Sequence, residues 1–146
     1  MTLYKPALGN RIEDDIVGIA AALTELDPSV ITEHNLNETS PANGYYVKFA
    51  MGLIVCWHAI VLVYHSASEL RATWTFPHQF DNADTVSTFG SWESTRSNFT
   101  SATIDRLYGV RFGQPGQDDV AVRFENNTGK LIATHEAFVH AVAIGK

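Results

Sequence analysis

Apolar positions along this chain fall into three regimes. Between Ile12 and Leu26 they recur every three or four residues, as Ile12, Ile16, Ile19, Leu23 and Leu26, which is the stripe of one helical face. Asn10 and Glu13 have the spacing of a capping box, and Glu13, Asp14 and Asp15 fall in a first turn, where the helix dipole favours acids. Asp27-Pro28 stops the pattern, because proline disfavours helix in the residue before it. The spacing therefore predicts a helix from about Arg11 to Leu26, and Pro28 opens a further short turn through Ile31.

The polar connection HNLNETSPANG leads into the second regime, the nearly unbroken apolar run YYVKFAMGLIVCWHAIVLVYH from Tyr45 to His65. Lys48 and His58 are its only strongly polar side chains before His65. A membrane helix needs about 20 apolar residues, and the pieces between these breaks are far shorter, so a deep core element of a non-membrane domain is expected. Met51, Ile54, Val55, His58 and Leu62 share a helical stripe, which favours helix to about His58, while the β-branched tail AIVLVY is compatible with a strand end.

The third regime has period two. Leu70, Ala72, Trp74 and Phe76 alternate with Glu69, Arg71, Thr73 and Thr75, and Pro77 ends the segment. Val86, Thr88, Gly90 and Trp92 repeat the alternation, with Gly90 as a bulge or bend. Ile104, Leu107 and Tyr108 before Gly109 suit a helix while Ile104, Tyr108, Val110 and Phe112 suit a strand, the favoured reading, and Val120, Val122 and Phe124 make the next strand. Asn126 to Gly129 supplies hairpin-turn residues, and Lys130 to Val142 is the expected returning strand. A helix, a buried middle element and a run of antiparallel strands make an α+β fold, one domain over residues 1–146.

Composition adds limits. A single cysteine, Cys56, excludes an intramolecular disulfide and reads as a small hydrophobe in a reducing, cytoplasmic setting. The opening MTLYKPALGNRIEDD has no apolar signal core, so the sequons at Asn37, Asn98 and Asn126 read as chance. A net charge of −6 with no basic block argues against nucleic acid as a partner. Hydrophobic residues are 45% and charged residues 18%, a surplus that points to a subunit interface, hence a homodimer, or to an apolar cavity.

The chain has no Walker loop, no G-x-S-x-G, no H-E-x-x-H and no C-x-x-C pair. His58 and His65 share a helical face but lie two turns, about 10.5 Å, apart, too far to grip one metal ion. Neither metal nor cofactor is expected. Acid-base work in an apolar cavity remains, with His58, His135, Asp81 and Glu136 as candidates. His58 interrupts the deepest run, as a base or as a core histidine satisfied by one hydrogen bond. His135 stands among Leu131, Ala133, Ala137 and Val139 on one strand face, in a cavity wall or a packed interface. Glu136 shares the opposite face with His140, and His65 can pair with Glu69. Trp74 and Trp92 serve either as core or as walls for a flat ligand, and Asn35, Asn82 and Asp81 lie in turns where a cone-shaped pocket would open.

The N-terminal helix, the break at LDPSVI and the final FENNTGKLIATHEAF resemble the cone of the NTF2-like, SnoaL-like cyclases, isomerases and dehydratases. That resemblance implies a cofactor-free enzyme moving protons on a polyketide- or terpenoid-like molecule. His58 or His135 would be the base, Asp81 or Glu136 the acid or orienter, Asn35 and Asn82 the oxygen ligands, and Trp74 and Trp92 the walls. Leu26-Asp27-Pro28 departs from the glycine-aspartate break usual in that family. The helix YYVKFAMGLIVCWHAI followed by VAVRFENNTGKLIATHEAFV is similar instead to the hot-dog acyl-thioester hydrolases and dehydratases, although no acid follows Asn43 and Gly44. There Asn43, Gly44 and Tyr45 would hold the carbonyl. A non-catalytic module with the same cavity is the third reading.

Overall fold

The computed structural model describes residues 30–99, 109–126 and 129–146, and within them the regular structure is β. The strands are β1 (Ile31–His34), β2 (Tyr45–Phe49), β3 (Ile54–Ser66), β4 (Glu69–Thr75), β5 (Ser87–Glu93), β6 (Val110–Phe112), β7 (Asp119–Glu125) and β8 (Glu136–Gly145). The only helical piece among the described residues is a single 3-10 turn, Ala83–Thr85. No helix among them is long and apolar enough to cross a membrane.

These elements replace the expected α+β architecture, whether cone or hot-dog, with an all-β one. The Arg11–Leu26 helix and its capping box lie outside the described residues, as does most of the segment before Val110. Ile31, expected at the end of a helical turn, opens β1 instead. The Tyr45–His65 run, expected as a helix to His58, is two antiparallel strands joined at Ala50–Leu53, where the Phe49 amide donates to the Leu53 carbonyl at 2.8 Å.

β3 is the strand on which the sheet is built. One edge pairs with β8 from Ile54 to Val63, and the other is divided between β2, at Ile54–Trp57, and β4, from Val63. The sheet therefore forks, with β2–β1 on one branch and β4–β7–β6 on the other, while β5 extends it beyond β8. The terminal hairpin expected between β7 and β8 does not form, because each finds two other neighbours.

The second branch curls back until Phe112 of β6 reaches Gly90 of β5. Ile54, Cys56, Ile60, Leu62, Leu70, Trp74, Val122, Phe124, Val139 and their neighbours fill the enclosed side. Cys56 belongs to this core; burial pushes its thiol up to about 12, against a partial offset from the His78 backbone, so it behaves as a small hydrophobe. On the reverse face, Ile31, Val47, Trp57 and Val142 form a second cluster with Tyr45, Phe49, Val55 and Ile144. Covered on both faces, the first half of β3 must be apolar at consecutive positions, which is why it lacks the alternation of a half-buried strand.

Gly44 sits where the chain enters β2, at φ +93. A Cβ there would lie 2.2 Å from the Trp57 carbonyl oxygen, so the position requires glycine both for its backbone conformation and for the close approach to β3.

Candidate functional site

The expected catalytic and binding residues are distributed over the fold, and four of them, His135, Asn35, Asn82 and Trp74, bond the backbone through their side chains. His58 lies on the inner face of β3 with its ring stacked on Trp74, centroids 6.5 Å apart. His135 is not on a strand. It closes the turn before β8, its amide donating to the Ile132 carbonyl at 2.9 Å and its Nδ1 accepting from the Ile132 amide at 3.3 Å. Its ring packs 5.3 Å from Phe99.

Asp81 is exposed, and its carbonyl accepts from the Gln117 side chain at 2.7 Å. Glu136, also exposed, donates its amide to Asn98 Oδ1 at 2.8 Å. Asn98 Nδ2 donates to the Thr134 carbonyl at 2.6 Å, so this sequon asparagine clamps two loops. Asn35 ties β1 to β2, accepting from the Tyr46 amide at 2.7 Å and donating to the Gly44 carbonyl at 3.0 Å. Asn82 caps the 3-10 turn by accepting from the Asp84 amide.

Trp74 is 2% exposed, and its indole donates to the Asn43 carbonyl at 2.9 Å. Trp92 donates to Ser97 Oγ at 2.6 Å and stacks on Phe99. Tyr45 stacks on Trp57 on the reverse face, and His65 is exposed near the end of β3. Glu69, its expected partner, lies 3.8 Å from Arg123 instead.

Two polar clusters escaped the sequence reading. Glu33 of β1 accepts from the Tyr46 hydroxyl of β2 at 2.8 Å and lies 3.3 Å from His78 Nε2. The Tyr46 bond, helped by His78, holds the Glu33 carboxyl below the ordinary glutamate range, against the cost of burial. Burial and the same carboxylate push Tyr46 up to about 12.

The second cluster stands on the outer face of β5 and β8, where His140 Nε2 lies 2.6 Å from Glu93 Oε2 and Arg96 Nη1 lies 3.5 Å from the same oxygen. Arg96 also covers the Phe138 ring at 4.4 Å. Burial raises the Glu93 pKa, but the bonds from His140 and Thr95 and the nearby charges outweigh it and leave the carboxyl below its usual value. The bonds from Glu33 to Tyr46 and His78 and from Glu93 to His140 span 13 to 47 positions, so only the tertiary fold brings these partners together.

The lowered carboxyls set a direction for acid stability. Protons bind these two carboxylates less tightly in the folded chain than in the unfolded one. Their contribution is therefore whole above the ordinary glutamate value of about 4.3 and is lost as pH falls through the folded values. Thermal melts of a Glu33→Gln/Glu93→Gln double variant should lose less stability than the parent between about pH 6 and pH 3. Parallel profiles would remove these pairs from the account of acid lability.

No protein-family model matches the chain, and no curated protein matches it. Among solved structures, an N-truncated R1-type pyocin tail fibre aligns over 95% of this chain and 100% of its own, with a TM-score of 0.54 and 18% identity. A C-terminal portion of the P. aeruginosa R1 pyocin fibre aligns over 98% of this chain and 39% of its own, with a TM-score of 0.49 and 16% identity. The expected SnoaL-like or hot-dog enzyme, a homodimer working on a small apolar substrate, gives way to a fold that is all-β among the described residues and similar to that of a pyocin tail fibre.

Proposed function

We propose that this chain is a structural or receptor-binding module of a fibre on a phage-tail-like particle, acting by contact and not by catalysis. The observation that carries the reading is the likeness of fold to the R1-type pyocin tail fibre, which extends over the whole of that chain and nearly all of this one. The use of the polar side chains supports it. His135, Asn35, Asn82 and Asn98 spend their hydrogen bonds on turns and strand ends.

The outer face of β3, β8 and β5 meanwhile offers Val61, Val63 and Phe89, exposed by 38%, 51% and 47%, beside the Glu93–His140–Arg96 cluster. A mixed apolar and charged face of this kind suits a macromolecular contact better than turnover of a small molecule.

The test is location. Antibody raised against the domain should label the fibres of tail particles sedimented from lysates of producing cells, as seen by immunogold microscopy. Protein found wholly in the supernatant, with tail particles unlabelled, would overturn the reading.

A further inference from the structure

The registers of β4, β7 and β6 place Arg71 opposite Arg123 and Arg123 opposite Arg111. All three side chains are exposed, because Leu70, Val122, Phe124, Val110 and Phe112 turn the other face of this branch to the core. Neighbouring strands lie about 4.8 Å apart, so the guanidinium groups rise from three adjacent backbones in one line. Three of the chain's ten lysines and arginines thus stand in a single row of a protein with net charge −6.

Like charges placed directly opposite one another destabilise a sheet. The adjacent row repeats the arrangement with the other sign, Glu69 opposite Glu125. Mixing the two signs across each strand pair would relieve both rows, yet the chain keeps them apart.

The glutamates do not use up the arginines. Arg111 Nε lies 3.1 Å from Glu125 Oε2, a hydrogen-bonding distance. Arg123 Nε lies 3.8 Å from Glu69 Oε1, beyond a hydrogen bond, and that buried oxygen has no hydrogen-bond partner among the described residues. Arg71 makes no ion pair among the described residues. The row therefore keeps two planar forks able to grip phosphate oxygens two at a time.

We propose that Arg71, Arg123 and Arg111 form a binding row for a ligand carrying two or more closely spaced phosphate groups, either free in solution or displayed on a surface. The row is independent of the fibre reading, which can fail without it. Phosphates seated along the line would supply the opposite charge that the sheet withholds.

The test is titration calorimetry at low salt with inorganic tripolyphosphate, beside sedimentation with phosphatidylcholine vesicles containing phosphatidylinositol bisphosphate. Saturable, salt-sensitive binding is expected. It should weaken by about tenfold or more in Arg71→Gln/Arg123→Gln, which removes charge-assisted hydrogen bonds. The same variant without ligand should melt no lower than the parent, since it relieves repulsion. Arg71→Lys/Arg123→Lys, which keeps the charge and the fold but not the fork, should bind between the two.

Binding to tripolyphosphate alone assigns the row to a free oligophosphate, and binding to vesicles alone assigns it to a displayed one. No binding to either probe, or binding that the glutamine and lysine variants leave unchanged, overturns the proposal.

Discussion

Alanine in place of Trp74 should cost about 3 to 5 kcal/mol, the range for truncating a large aromatic in a packed core. The ring is 2% exposed and meets Phe76 edge to face at 5.0 Å, with the His58 ring stacked at 6.5 Å. Its indole N–H also holds the Asn43 carbonyl in the loop before β2. Truncation therefore removes buried apolar area, opens a cavity between β3 and β4, and leaves that carbonyl without its donor. Denaturant melts should show a lower midpoint at an unchanged slope. A loss under about 1 kcal/mol would mean that the ring borders open space, as a ligand wall does, and not packed core.

β4, β5 and β7 were legible in the sequence because each turns one face to the core and one to solvent, which writes period two into Leu70–Ala72–Trp74 and Val120–Val122–Phe124. The same logic hides β3, whereas β8 is legible as a strand and only its start, set at Lys130, is misplaced. Both are paired along two edges, and where β3 meets β8 the two faces carry separate clusters. Ile54, Cys56, Ile60 and Leu62 serve one face while Val55 and Trp57 serve the other, so alternation disappears and a helical stripe can be drawn through the run by coincidence. The better signals were its β-branched content and Gly52, which a helix interior disfavours and which takes φ +84 in the turn between β2 and β3. The apolar surplus, read as a homodimer interface, goes in part to the second cluster on the reverse face.

The candidate chemistry failed for a related reason. Placing His135 among Leu131, Ala133 and Ala137 assumed that the strand begins at Lys130, but the backbone turns at Ile132–His135 and the strand starts only at Glu136. A histidine that closes a turn and a histidine that faces a cavity have the same neighbours in sequence. The pairs that do form, Glu93 with His140 across β5 and β8 and Glu33 with His78 of the loop after β4, depend on tertiary placement, which local pattern does not encode.

Gly90→Ala should destabilise the fold by about 3 kcal/mol, the upper part of the range for overpacking, although it adds a single carbon. The new Cβ would stand 2.3 Å from the His140 carbonyl oxygen, 2.9 Å from Phe112 Cζ and 3.2 Å from Ala141 Cα. Two of these atoms are backbone of β8, the strand that pairs with β5 at Gly90↔Ala141, so relief requires the two strands to separate. Gly113→Ala is the control. Its Cβ would meet Ala121 at 3.4 Å, an ordinary contact, and its cost should stay within about 0.5 kcal/mol.

Adding Phe112→Ala to Gly90→Ala separates the two sources of strain, because it removes the ring and leaves the carbonyl. The double variant should regain none of the lost stability and should lose more, since Phe112 packs against the core. Hydrogen exchange at the β5 amides should rise in both variants, reporting a loosened β5–β8 ladder. Full recovery in the double variant would place the limiting contact at the ring, and would show that the sheet's curl onto Phe112, and not the spacing of β5 from β8, is what demands glycine at this position.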